Sequence, residues 1–217
     1  MLRGYDVDKD RDIVFIPIGI NYDHVLEDMV QIRAGQGRRV RRSTWYWVRA
    51  VFRFITVHWT LSRDARRDRF GYASVNFGHV VSAKQFARSR AINFAQLDRA
   101  QRFEHTAALA SVLMNGVGYV TPILPVPLIA QVFARSDEAA LSQLQIIAAI
   151  HALIDDLIAA GAPLSPADVP AKITVVKALT LLQHYGMIDF VDGKWRAVPQ
   201  ASDRLAYYGA SIAHWFD

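Results

Sequence analysis

His151 and Asp156 stand five positions apart in the run HALIDD. A His oriented by an Asp can take the proton of a hydroxyl nucleophile. On a helix such a pair faces best at a spacing of four, and the run around it is rich in Ala, Ile and Leu. The expectation is a structural His151. A second group, Asp23, His24, Glu27 and Asp28, follows directly on the apolar run VFIPIGI. Carboxylates beside a His can hold a metal, and the ends of buried α/β strands are favoured ligand sites. The spacing matches no ordinary metal motif, so capping is the expected role and no metal is assigned. A third group joins Arg38, Arg39, Arg41 and Arg42 to Trp45, Tyr46 and Trp47. Cations beside aromatic rings suit phosphates and stacked bases, an anionic bilayer with interfacial rings, or a solvated loop before a core helix. The bilayer surface is the reading adopted, with Arg38, Arg39, Arg41, Arg42, Trp45 and Trp47 as its contacts.

The elements that would carry these groups follow from the pattern of apolar residues. Ile13 to Ile20 runs apolar without alternation, which predicts a strand buried on both faces. Pro17 cannot donate to a sheet, so it marks an edge, a bulge or the last paired position. A helix is predicted to begin within Val25 to Ile32, and residues 33–42 read as a Gly- and Arg-rich loop. Ser43 reads as the cap of a helix running to about Leu61, too apolar for an ordinary surface helix. Alternation in YASVNFG predicts a second strand, and Ser82 caps the helix after it. Thr106 to Ala134 holds no charged side chain, yet its prolines would break a membrane-spanning helix. Two buried helices around a proline-rich turn are expected there instead. Near residues 172–198 a helix stopped by Gly186 and two strands around Asp192-Gly193 have the outline of half a winged helix.

The totals bound the rest. A chain this long holds one large domain or two small ones. A hydrophobic fraction of 52% with a mean hydropathy of +0.11 suits a sizeable core or contact with a membrane. The formal charge of +5 is carried mostly by Arg. It fits an anionic surface, a phosphate-bearing substrate or nucleic acid. Without cysteine there is no disulfide, no thiolate metal site and no Cys nucleophile. The first residues, MLRGYDVDKDRD, are charged and do not read as a secretory signal.

Three runs carry a resemblance. Ile16, Pro17, Ile18, Gly19, Ile20, Asn21, Tyr22 and Asp23, with Val25 and Glu27, resemble the fourth conserved motif of glycerol-3-phosphate acyltransferases of the bacterial-membrane and mitochondrial type. GYASVNFG, Gly71 to Gly78, is similar to that family's strand ending in Asn-Phe-Gly, although Val80 stands where the family often has Pro. YYGASIAHW, Tyr207 to Trp215, is similar to its late segment of aromatics leading to a helix with a His. The resemblance implies a His-x4-Asp base, a phosphate site and attack of a glycerol hydroxyl on an acyl thioester. It gives no catalytic residue to this chain. The family's Phe-Pro-Glu-Gly segment is absent, and His151 lies in the wrong region. About half of such an enzyme, with its catalytic motifs, is expected upstream of Met1.

The fold expected is therefore an α/β acyltransferase remnant of a few strands plus helices over residues 1–83. A mainly α-helical domain with a small β-hairpin follows over residues 84–217. The resemblance implies substrate contacts at Ile16, Pro17, Ile18 and Tyr22, with no cofactor. It implies glycerol 3-phosphate and either acyl-CoA or acyl carrier protein as partners, and no nucleic acid. The implied location is the cytoplasmic face of the inner membrane, as a peripheral protein, with the chain inactive alone. The alternative is a non-catalytic module that binds membrane or nucleic acid.

Overall fold

The computed structural model describes residues 2–25, 28–35, 45, 52, 71–167 and 171–216. They form a few short strands plus helices, as the sequence indicates. The chain divides into two compact units, and each draws on two stretches of it. One holds residues 1–20 and 75–122; the other holds residues 21–74 and 123–217.

In the first unit, β1 (Val14–Phe15) pairs antiparallel with β4 (Val81–Ser82). The next strand, β2 (Ile18–Tyr22), pairs instead with β3 (Ala73–Phe77). Pro17 is where the partner changes. It has no N–H to continue the first ladder, while its carbonyl accepts from the Gly78 N–H at 2.8 Å. At the other end of this ribbon the Asp23 N–H donates to the Tyr72 carbonyl at 2.9 Å. Both bonds fit one antiparallel register, which sets Ile18 across from Phe77 and Ile20 across from Val75.

The expectation that this run is buried on both faces is corrected here. Ile16, Ile18, Ile20 and Tyr22 are 53%, 44%, 51% and 46% exposed, while Pro17, Gly19 and Asn21 are buried. The run looks unbroken in sequence because its inner positions are Pro and Gly rather than polar residues. A Cβ on Gly19 would lie 2.5 Å from the Val120 carbonyl oxygen. One on Gly116 would lie 2.9 Å from Pro17 Cγ. These small residues let the strand lie directly on the end of a helix.

That helix is α3 (Arg99–Val120), opened by a capping box between Asp98 and Gln101. Leu109 is its one buried residue, so the expectation of a buried helix here is also corrected. Its solvent face carries Phe103, Met114 and Tyr119, at least 66% exposed, beside Ala107, Ala110 and Ser111, and hydropathy alone cannot separate such a face from a core stripe. Before it, α2 (Ala83–Ser89) starts at Ser82, whose Oγ accepts from the Gln85 N–H at 2.9 Å. Tyr5, Val7, Ala83, Phe86, Ala87, Phe94 and Leu109 form the core of this unit.

The second unit is built on α4 (Pro125–Arg135), eight of whose residues are buried. Its prolines lie in the first turn, where a missing N–H removes no helical bond. The uncharged run Thr106–Ala134 thus holds one mostly exposed helix and one buried one. No helix among the described residues is long and apolar enough to cross a membrane. After α4 come Leu141, then α5 (Gln143–Ala159), α6 (Lys172–His184), β5 (Ile188–Val191) and β6 (Lys194–Ala197). Leu141 and Trp195 exchange two backbone bonds of 2.7 Å, so the strand order is Leu141, β6, β5. The helix before Gly186 and the hairpin around Asp192-Gly193 lie where the sequence indicates, with Leu141 added at the edge of the hairpin. Asp192 and Gly193 both have positive φ, 52° and 76°, as a two-residue hairpin requires. The last helix, α7 (Ser202–Ala210), lies on α4 through Gly209, whose carbonyl accepts from Gln131 Nε2 at 2.9 Å.

Candidate functional site

The turn that follows β2 gathers the polar side chains of the second unit. Asp23 is 1% exposed. Its Oδ1 accepts from the Val126 N–H at 2.8 Å and its Oδ2 from the Tyr72 N–H at 2.9 Å. Leu124 begins α4 without a side-chain cap, so a carboxylate about a hundred residues earlier caps it instead. Gly71, at φ +67°, leaves the space: a Cβ there would sit 2.5 Å from Asp23 Cβ.

Burial pushes the Asp23 carboxyl up to about 6, against the pull of those two N–H donors. The folded protein then holds this proton more tightly than the unfolded chain. The resulting stability is fully present below about pH 4 and is lost as the pH rises through about 6. Asp23→Asn keeps the size of the side chain and removes the titration. Between pH 4 and 7 the urea midpoint of the wild type should fall relative to the variant, by a difference worth up to about 3 kcal/mol. Parallel profiles would place this carboxyl at its ordinary value.

At the start of α1 (Asp28–Gly35), Asp28 is 4% exposed. Its Oδ2 accepts from Arg204 Nε at 2.9 Å, from Arg204 Nη2 at 2.7 Å and from the Tyr208 hydroxyl at 3.1 Å. The same hydroxyl accepts from the Val25 N–H at 3.0 Å. Arg204 Nη1 donates to the Tyr185 carbonyl at 2.9 Å, and the Tyr185 ring stacks on His24 at 3.7 Å. The Tyr207 hydroxyl bonds Gln31, and Asn21 Nδ2 donates to Ser211 Oγ at 3.2 Å. Burial, and then the Asp28 charge, raise the Tyr208 hydroxyl well above its ordinary range, so it stays protonated and able to donate.

Asp23 therefore does the capping expected of the acidic cluster, Asp28 instead pairs with Arg204 and Tyr208, and Glu27 lies outside the described residues. Among the described residues no group of three or more His, Asp or Glu could hold a metal ion. Ile16 and Ile18 stand exposed and Pro17 buried in the first unit, while Tyr22 is exposed at the end of β2. Trp45 is 74% exposed. Arg38, Arg39, Arg41, Arg42 and Trp47, with most of the helix expected from Ser43 to about Leu61, lie outside the described residues. His151 and Asp156 are both exposed on α5, turned about 140° apart around the helix, and no hydrogen bond joins them. A second His-x4-Asp spacing, missed in the sequence, links His184 at the end of α6 to Asp189 in β5. No hydrogen bond or ion pair makes these two a couple either. Sequence reading also missed Arg204 and Tyr208 as partners of the β2 turn. A signal was present: Arg204, Tyr207, Tyr208 and Ser211 are spaced i, i+3, i+4, i+7.

Comparison with protein families matches the C-terminal region of glycerol-3-phosphate acyltransferases over residues 56–216. The chain belongs to that family. The match takes in the β3 strand and the Tyr207–Trp215 segment, on which the resemblance partly rested. It begins after the Ile16–Glu27 run, whose likeness to an acyltransferase motif rests on its own residues. No curated protein matches the chain. For this acyltransferase C-terminal region, the polar stripe of α7 is thus one of the matched parts, and the turn that it grips is not.

Proposed function

We propose that the chain is part of a glycerol-3-phosphate O-acyltransferase, which transfers a fatty acyl group from acyl-CoA or acyl carrier protein to make lysophosphatidate for phospholipid synthesis. The family match over residues 56–216 carries this reading. In it, residues 1–83 complete the α/β acyltransferase domain and residues 84–217 are its helical partner. Ile16 and Ile18 offer apolar surface to the fatty chain, and Tyr22 contacts substrate. Pro17 ends one ladder and starts another, and it lies buried between the two exposed isoleucines. In an acyltransferase carrying this region, Pro17→Ser should raise the KM for the acyl donor more than that for glycerol 3-phosphate. Unchanged constants in a folded enzyme would leave Pro17 a strand terminator only.

The protein is proposed to sit on the cytoplasmic face of the inner membrane, through Arg38, Arg39, Arg41 and Arg42 with Trp45 and Trp47. Each Arg near an anionic surface adds about 1 kcal/mol. Flotation with anionic vesicles should show binding that weakens as salt rises; equal binding to neutral vesicles would contradict it. Nucleic acid is not a proposed partner. The exposed face of α6 carries Lys172 and Lys177, but Ile173 (66% exposed) and Val176 lie between them, and fold alone does not give function.

A further inference from the structure

We infer that α7 positions the turn after β2 for acyl transfer, with Arg204 and Tyr208 as positioning residues; this rests on the acyltransferase reading above. The contacts come from one stripe of the helix and from Ser211, its C-cap. Arg204, Tyr207, Tyr208 and Ser211 lie on one face by their spacing. They meet Asp28, Gln31, Val25 and Asn21, in a segment of eleven residues. The opposite stripe is fixed elsewhere: Leu205 and Gly209 are buried, and Gly209 is bonded to Gln131 of α4. The N-terminus of that same α4 holds Asp23. The turn is therefore held twice by one buried helix, directly at Asp23 and through α7 at Asp28.

The chemistry of the brace argues for placement rather than bulk stability. The Asp28 and Arg204 side chains are 5% and 18% exposed. A buried ion pair commonly contributes no more stability than apolar residues of equal volume would, but it accepts only one geometry. Tyr208 adds a constraint that no regular element supplies, because the Val25 N–H lies between β2 and α1 and has Tyr208 as its acceptor. Tyr22 stands 46% exposed at the head of this turn. It is a side chain that substrate can reach, on a backbone fixed from behind.

The test has two arms. On the 217-residue chain, hydrogen exchange is followed in Tyr208→Phe and in Arg204→Lys, which keeps the charge and loses the two-pronged bond. Protection at residues 21–31 should fall tenfold or more, with α5 and α6 unchanged. Arg135→Ala, which removes the guanidinium 4.3 Å from the Phe216 ring in the same unit, should leave residues 21–31 alone. In an acyltransferase containing this region, the same two variants should lower kcat/KM for the acyl donor by about 10–100-fold, as small misplacements of a reacting site do. Protection lost equally from α5 and α6 would make α7 a general brace and overturn the inference. Protection lost only at residues 21–31 with activity intact would overturn it as well, because the clamp would exist without serving transfer. An enzyme whose wild type transfers no acyl group, with the exchange pattern as described, would sink the acyltransferase reading and this inference with it, while leaving the clamp.

Discussion

The 217-residue chain, assayed alone with glycerol 3-phosphate and an acyl thioester, is expected to form no lysophosphatidate. Transfer needs a positioned base for the glycerol hydroxyl. His151 and Asp156 point to different sides of α5, and His184 and Asp189 are not bonded to each other. Loss of a positioned proton acceptor alone costs on the order of 10²–10⁴-fold. The Phe-Pro-Glu-Gly segment that the family resemblance implies is absent from this sequence as well. Both donors, acyl-CoA and acyl carrier protein, belong in the assay, with product followed by radiolabel. Turnover clearly above the enzyme-free rate would mean that some other residues here act as the base, and the two His-x4-Asp spacings would be the first to mutate.

Gly19→Ala is expected to be the most damaging single methyl in the first unit. The added Cβ would meet the Val120 carbonyl oxygen at 2.5 Å and the Thr121 nitrogen at 2.6 Å. Both are backbone atoms, so no side chain can swing away. Either β2 lifts from the end of α3 or the last turn of α3 unwinds. Overpacking of this kind costs roughly 3 kcal/mol or more. For a chain of this size that is a fall in Tm of about 6–12 °C. Gly35→Ala is the control, since a Cβ there meets nothing within 4 Å. A Gly19→Ala protein melting within about 1 °C of wild type would show that β2 does not lie on α3 as described.

Signals that act over a few residues were legible in the sequence. Ser82 caps α2 by reaching three residues ahead. Gly186, at φ +65°, follows the end of α6, and Asp192-Gly193 turns the hairpin. Pro17 interrupts pairing because the missing N–H is its own property. Tertiary structure decided the rest. Which side of β2 is covered depended on Gly116 and Val120, which lie about a hundred residues away. The run Ile13–Ile20 is equally apolar on either side, so its pattern held no answer. The same holds for α3, whose exposed Phe103, Met114 and Tyr119 are as apolar as a core stripe, so only the presence of neighbours settles the matter. Asp23 and Asp28 were visible as part of an acidic cluster; capping was the expected role, and Asp23 fills it. Their partners, the Val126 N–H and the Arg204–Tyr208 pair, became known only when the chain brought them within hydrogen-bond reach. A carboxylate's short-range pattern shows that it needs donors; the fold alone chooses which ones.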